Sequence, residues 1–486
     1  MSDQLKILYV AAEVAPFVKV GGLADVAGAL PKALRELGHD LRVIMPRYAQ
    51  IDGAKYGLRP ALDGKRFSVP GSGELATLFE ADNSGVPVYF VGSDRYFGRD
   101  RVYGEPDDVE RFLYFCRAAL QAVEQLGWQP DVVNCNDWHT AVIPHWIRTH
   151  GVTESAASVV TIHNLAYQGG FDPNAYPPEW IDASRLYPRP DGGADLLSQG
   201  IRDADMVTTV SEQYAHEITT PEYGEGLQDL LTSRANDLRG IVNGIDYDIF
   251  DPARDPAIAE PYTADSLEGK AACKLALQQE TGFDPSPRTP LIGLIGRLAD
   301  QKGFDLVAEV LEPFLAETDV QVILLGTGEP HYHDLFRELA AHNRRQLAVH
   351  LAFDGALAQR IYAGSDVFLM PSRFEPCGLG QLISLRYGTV PIVRSTGGLA
   401  DTVVDYQAAT ERGTGFVFRR YHSVSLTMTL GRALEVFRST ERWREIQRRG
   451  MAQDLSWDAS AKRYVSTYRE AMDRARLRTA APTAGA

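Results

Sequence analysis

The sequence predicts an α/β chain of two doubly wound, Rossmann-like domains with parallel sheets. Short apolar, β-rich runs alternate with helical patterns almost throughout, the mark of strand–helix–strand units. A length of 486 residues exceeds what one hydrophobic core ordinarily serves. Between the halves, the stretch 243–261 is rich in Asp, Pro and Gly and weakly periodic, which marks a boundary.

In the first half, strands are expected at 6–11, 41–45, 86–91, 132–135, 159–162 and 206–210. In the second half they are expected at 291–295, 320–325, 349–353, 367–370, 390–393 and 415–418. Helical patterns fill most intervals, among them 23–37, 304–315, 331–343 and 378–387. The domains are assigned to 1–245 and 246–460, with a terminal helix at 461–478 packing back on the first domain. The tail 479–486 is made of small residues, without core-forming side chains, and is expected to be disordered. Ligands of doubly wound sheets bind beyond the carboxyl ends of the strands. Most of the candidate residues below fall just after an expected strand.

The formal charge of −15 argues against a general nucleic-acid or anionic-membrane surface, since polyanion binding needs clustered cations. A small anion held by a few local cations stays compatible with it. The start of the chain shows no basic segment with a cleavable apolar run, and no stretch is long enough to span a bilayer. Cys116, Cys135, Cys273 and Cys377 are widely spaced, which fits reduced thiols in a cytoplasm better than disulfides or zinc.

The phrase Gly-Gly-Leu-Ala-Asp occurs twice, at Gly21–Asp25 and Gly397–Asp401. Each opens a helix-like run, so each offers backbone N–H groups and a helix N-terminus to an anion. Gly21, Gly22 and Asp25 with Lys19 form the first such group. Thr396, Gly397 and Gly398 form the second. One such loop is often only a tight turn; two in opposite halves suggest one shared anionic ligand.

The segment from Gly293 to Phe304 carries Arg297 at a strand end and Lys302 at a helix start. Arg forks onto phosphate oxygens while Lys adds a mobile point charge. A solvated basic turn is the structural alternative. In the segment Pro371–Gln381, a strand delivers Glu375 into a turn, and Pro376 preorganises the start of a helix. A carboxylate there suits paired sugar hydroxyls, and the Gly378, Leu379 and Gly380 amides suit phosphate. A helix-capping Glu beside a buried Cys377 is the alternative.

Asn136-Asp-Trp-His-Thr140 closes a strand and opens a helix. Asp137 and His139 suit sugar hydroxyls or developing positive charge, while Asp137 is equally a good N-cap. His163 and Asn164 end the next strand. A lone histidine is usually a hydrogen-bonded structural residue, and His163 stands out by its company. Asn243 most simply makes a turn before the boundary. There is no Gly-x-x-x-x-Gly-Lys-Ser/Thr loop and no Gly-x-Ser-x-Gly elbow. His331, His333 and His139 show no metal-ligand spacing, so neither metal nor cofactor is expected.

Taken in order, these segments resemble the bacterial glycogen synthase and plant starch synthase family, from Lys6 to about Arg474. The carriers are Lys19-Val-Gly-Gly-Leu, Asn136-Asp-Trp-His, Ile162-His-Asn, Pro221-Glu-Tyr-Gly, Asn243-Gly-Ile-Asp, Gly296-Arg-Leu-Ala-Asp-Gln-Lys-Gly, Glu375-Pro-Cys-Gly-Leu and Ser395-Thr-Gly-Gly-Leu. The resemblance implies a GT-B glycosyltransferase whose two domains face each other across a cleft. It implies transfer of glucose from ADP-glucose to the non-reducing end of an α-1,4-glucan such as glycogen, with retention and without a metal. Arg297, Lys302, Lys19 and the glycine-loop amides would neutralise the departing diphosphate. His163 would act near the anomeric carbon, Asp137 on the glucose or acceptor side, and Glu375 on donor-sugar hydroxyls. The second glycine loop would serve the nucleotide side, and the first would reach the phosphates on closure. A same-face substitution and a double displacement through a carboxylate both fit.

Three positions depart from the common pattern. Asn134 stands where relatives often have His, Gly380 where they often have Thr, and Ile383 where the wider superfamily often has a second Glu. The rivals are another retaining GT-B transferase making a small glucoside, and a non-catalytic glucan- or nucleotide-sugar-binding protein.

Overall fold

The structure, a computed structural model, describes residues 4–150, 155–172, 174–189 and 192–480. Its contacts group the chain into two units. Unit one runs to Asn243 and resumes at Trp457; unit two is Gly244–Ser456.

Unit one is built on β1 (Lys6–Val10), β2 (Asp40–Pro46), β3 (Leu75–Asn83), β4 (Val86–Gly92), β5 (Val132–Asn136), β6 (Ala157–Ile162), β7 (Met206–Thr209) and β8 (Leu238–Gly240). Their order in the sheet is β8-β7-β6-β5-β1-β2-β4-β3, with two-residue strands at the β3 edge. All pairings from β8 to β4 are parallel, with Ile7 opposite both Leu41 and Val132. The interior strands β1, β5, β6 and β7 are buried almost throughout, polar residues of β5 and β7 included, as strands covered on both faces are. β8 was not anticipated, nor was β3. It pairs antiparallel with β4 through Ser84 and Gly85, both at positive φ, as a two-residue type I′ hairpin requires.

Helix α1 (Gly22–Glu36) buries Leu23, Val26, Ala27, Leu30 and Leu34, a stripe at three- and four-residue spacing. The terminal helix, α2 (Trp457–Ala480), packs on α1 and β6. Arg463 pairs with Glu212 at 2.7 Å, and Arg239 with Glu470 at 2.7 Å. Thr479 and Ala480, expected in a disordered tail, instead continue this helix; the tail's residues 481–486 lie outside the described residues. Tyr468 of α2 donates to Asn134 Oδ1 at 3.2 Å, and Asn134 also bonds Thr161 of β6. Asn134, one of the departures noted above, is therefore a buried brace between strands and terminal helix.

Unit two holds β9 (Leu291–Ile295), β10 (Gln321–Leu325), β11 (Leu347–His350), β12 (Val367–Met370), β13 (Val390–Arg394) and β14 (Phe416–Phe418). The order β11-β10-β9-β12-β13-β14 is parallel throughout. Strand β11 lies earlier than the expected 349–353, because the apolar letters there mislead: Phe353 is 83% exposed. The helix expected from Gly378 starts at Gly380, since Gly378 is left-handed at φ 76°.

In each sheet the strand order reverses beside the first strand of the unit. β1 has β2 on one side and β5 on the other; β9 has β10 and β12. The carboxyl-end crevice at such a reversal is where open α/β sheets take ligands. That rule selects the loops after β1 and β5 in unit one, and those after β9 and β12 in unit two.

Candidate active site

In unit two, the loop after β9 carries Arg297 and Lys302, and the loop after β12 carries Glu375. Lys302 Nζ lies 2.6 Å from Glu375 Oε2, and Ser372 Oγ donates to the same oxygen at 3.1 Å. The Glu375 side chain is 6% exposed and that of Lys302 27%, so this ion pair faces a low-dielectric wall on one side. Arg297 lies on the exposed edge, its Nη2 donating to Gln301 at 2.8 Å.

Several contacts hold these loops in place. Arg373 N donates to Gln301 O at 2.9 Å, and the buried Arg394 guanidinium bonds the carbonyls of Ser372 and Arg373. Gly303 sits at φ 78° against the Pro371 carbonyl, where a Cβ has no room. Gln381 Nε2 donates to the Cys377 and Gly378 carbonyls at 3.0 Å each, fixing the turn that leads to α3 (Gly380–Arg386). Leu379 is its N-cap and has no side-chain cap bond, and Gly380 begins the helix with no hydroxyl to offer. Cys377 is buried beneath them.

The second Gly-Gly-Leu-Ala-Asp proves to be a packing joint. Gly398 N donates to the carbonyls of Glu375 and Pro376 at 3.2 and 3.1 Å, so that amide is not available to an anion. A Cβ on Gly397 would overlap the Glu375 carbonyl oxygen, and one on Gly398 the Cys377 carbonyl oxygen. Thr396, Gly397 and Gly398 are all buried. These glycines let one short helix press against the Glu375 turn and so set where Glu375 points.

The first copy differs. Gly21 caps α1 without a side chain, and a Cβ at Gly22 would meet open space. Lys19 Nζ bonds Asp25 Oδ1 at 2.7 Å, with both side chains part exposed. The Gly21 amide, in a loop expected to face an anion, instead donates to the carboxylate of Glu13, as does the Val20 amide. Sequence reading missed Glu13. Its signal was a lone charge within the apolar run Ala11-Ala-Glu-Val-Ala.

Beyond β5, Asp137 adopts φ 55°, a left-handed conformation that aspartate tolerates. Its carboxylate does not cap the helix that follows. Oδ1 accepts instead from the amides of His163 (2.7 Å) and Asn164 (3.4 Å), which lie beyond β6. Burial pushes Asp137 up to about 7, against these two hydrogen bonds, and the charge of Glu13 adds to the rise. Asn164 Oδ1 accepts from Ala166 N at 3.1 Å, shaping the same loop.

His163 Nε2 is 2.9 Å from Asn136 Oδ1. Asn136 Nδ2 donates to Val10 O at 2.9 Å, and Tyr9 donates to Asn136 Oδ1 at 3.0 Å, so that oxygen is assigned as an acceptor. The His163 proton therefore sits on Nε2, and Nδ1 is left as an acceptor. Burial lowers His163 to about 3, which keeps it neutral. His139 is likewise neutral, lowered to about 3 by burial and by the Arg111 charge. It stacks on Trp138 at 4.1 Å and packs 4.6 Å from the Tyr103 ring; its Nδ1 is buried without a hydrogen-bond partner. Asn243, the last residue of unit one, is also buried, with Oδ1 unpartnered.

Asp300, Glu329 and His331 bring three potential ligand atoms within 4.8 Å of one another, all exposed. Among the described residues no helix is long and apolar enough to cross a membrane.

Two parallel sheets, each with cationic or hydrogen-bonding loops at its reversal point, are the architecture that GT-B glycosyltransferases use. Comparison with known proteins agrees. Residues 6–233 match the family model for the starch synthase catalytic domain, and residues 289–435 that for glycosyl transferases group 1. Glycogen synthase of Moorella thermoacetica is 48% identical, over 98% of this chain and 99% of its own. That of Desulforudis audaxviator is 46% identical over 97% of each chain. The catalytic domain of starch synthase IV from Arabidopsis thaliana, solved bound to ADP and acarbose, superposes with a TM-score of 0.90. It is 34% identical, over 97% of this chain and all of the other. Sucrose-phosphate synthase from Thermosynechococcus elongatus, at 15% identity and a TM-score of 0.60, shares the fold. The chain belongs to the glycogen synthase and starch synthase family.

Proposed function

We propose that this protein is a retaining glycogen synthase that moves glucose from ADP-glucose to the non-reducing end of an α-1,4-glucan. The observation that carries this reading is the Lys302–Glu375 pair at the reversal point of unit two, in a chain of this family. Glu375 accepts from donor-sugar hydroxyls, and Lys302 and Arg297 take the growing negative charge of the leaving diphosphate. Lys19 and the first-turn amides of α1 serve the same charge, so no metal is required.

The anomeric C1–O bond breaks with its electron pair going to the diphosphate. The acceptor O4 bonds C1 on the same face, and its proton passes to a leaving phosphate oxygen, releasing ADP. Neutral His163 accepts a hydrogen bond from a sugar hydroxyl at Nδ1, and Asp137 holds the His163–Asn164 turn in place. ADP as the leaving nucleotide, and so ADP-glucose as the donor, is favoured by the ADP bound in the starch synthase IV structure. Four buried free cysteines fit a reducing cytoplasm.

The test is a donor competition with glycogen as acceptor: ADP-, UDP- and GDP-glucose together, with product chain length measured. Chain elongation from ADP-glucose is expected. No transfer from any of the three, or formation only of a small glucoside, overturns the proposal.

A further inference from the structure

Glu13 lies on the loop between β1 and α1 and is 3% exposed. One carboxylate oxygen accepts from two successive amides, Val20 and Gly21, the latter at 3.1 Å. These are the last amides before α1; Val20 and Gly21 are themselves exposed, so the buried partner in both bonds is the Glu13 carboxylate. The other oxygen, Oε1, lies 3.5 Å from where a Cβ on Gly21 would stand, so the carboxylate is seated against that glycine. The contact also fixes the backbone immediately after Lys19, whose ammonium is tethered to Asp25 at 2.7 Å. Space is open on the far side of the turn, at Gly22, and α1 has no side-chain cap.

The first loop thus has two divided sets of amides. Val20 and Gly21 are held by the protein's own carboxylate; the first-turn amides of α1 have no capping side chain. We infer that Glu13 is a positioning residue for donor binding: by accepting from Val20 and Gly21 it sets the turn that aims Lys19 and the α1 N-terminus at the donor phosphate. It acts through the turn and not by touching the donor, and the inference rests on the nucleotide-sugar reading above. A glutamine at this position keeps an accepting oxygen, whereas alanine removes the tether and gives both amides to water.

The test compares the full-length wild type with Glu13→Ala and Glu13→Gln, reading KM for ADP-glucose, KM for glycogen, kcat and calorimetric ADP affinity. In Glu13→Ala, donor KM is expected to rise about tenfold or more, with ADP affinity falling in parallel, the scale of one lost hydrogen bond to a charged group. The KM for glycogen is expected to stay within about twofold, and Glu13→Gln to restore most of the loss. The inference is overturned by unchanged donor KM and ADP affinity in Glu13→Ala. It is equally overturned by tighter ADP binding, which would make the carboxylate a guard of those amides, by a matching rise in glycogen KM, or by Glu13→Gln behaving like alanine. Failure of the wild type to transfer glucose from any donor would instead overturn the proposed function, while ADP calorimetry on the same three proteins still decides the role of Glu13.

Discussion

Removing Lys302 separates the two roles its ion pair plays. Lys302→Ala strands the Glu375 carboxylate, 6% exposed, with the Ser372 hydroxyl as its remaining side-chain partner. Breaking a buried pair from one side costs about 3–5 kcal/mol. Lys302 keeps 27% exposure, so water offsets part of that and the low end, about 3 kcal/mol, is expected. For a unit the size of Gly244–Ser456 this lowers Tm by about 6–12 °C. Transfer should fall further than the fold does, by roughly 10²–10³ in kcat, the scale of one lost electrostatic contact to a leaving group. Adding Glu375→Gln removes the stranded charge while keeping an acceptor for Ser372. Thermal unfolding of the double variant should then recover most of the lost stability, and radiolabelled transfer to glycogen should recover none. If the double variant regains turnover together with Tm, or if Lys302→Ala turns over within about threefold of wild type, the leaving-group role is refuted.

Three further outcomes follow from the geometry. Asp137 is raised to about 7 from an unfolded value near 3.9, so the folded state holds its proton more tightly and this site loses stability as pH rises from about 4 to 7. Asp137→Asn should gain stability relative to wild type across that window, by up to about 4 kcal/mol, and lose the advantage below pH 4 in pH-resolved melts. The two glycine loops should respond oppositely: Gly397→Ala meets the Glu375 carbonyl and should cost about 3 kcal/mol with loss of transfer, whereas Gly22→Ala enters open space and should leave Tm unchanged or slightly higher. Nitrogen NMR of His163 should show a neutral ring with the proton on Nε2 between pH 5 and 8, and Asn136→Asp should raise its pKa.

Much of the architecture was legible because buried parallel strands write themselves as short Val/Ile/Leu runs. β9 and β12 are of this kind, as are the first two residues of the strand from Val132, and Arg297, Glu375 and Asp137 stand in the loops that follow. Where periodicity was the only guide it slipped, as at β11, because an apolar letter such as Phe353 carries no record of its own exposure. The hairpin at β3 was missed although Ser84-Gly85 marks its turn, since its strand mixes polar and apolar residues without a continuous run.

The sequence by itself determined the fold class, the strand ends that carry the candidate chemistry, and the family. Those depend on local patterns and on residue types at fixed spacing. Tertiary structure alone decided what each of the two identical phrases does. Gly397 and Gly398 are spent on contact with the Glu375 turn, while Gly21 and Gly22 leave a helix start open beside Glu13. It also turned Asp137 away from its own helix to hold the loop of His163, and fixed that ring's proton through Asn136. Hydrogen-bond partners and close approach are set by which segments meet across a sheet, and separations of 26 residues from Asp137 to His163, or 126 from Val10 to Asn136, leave no mark on the local sequence.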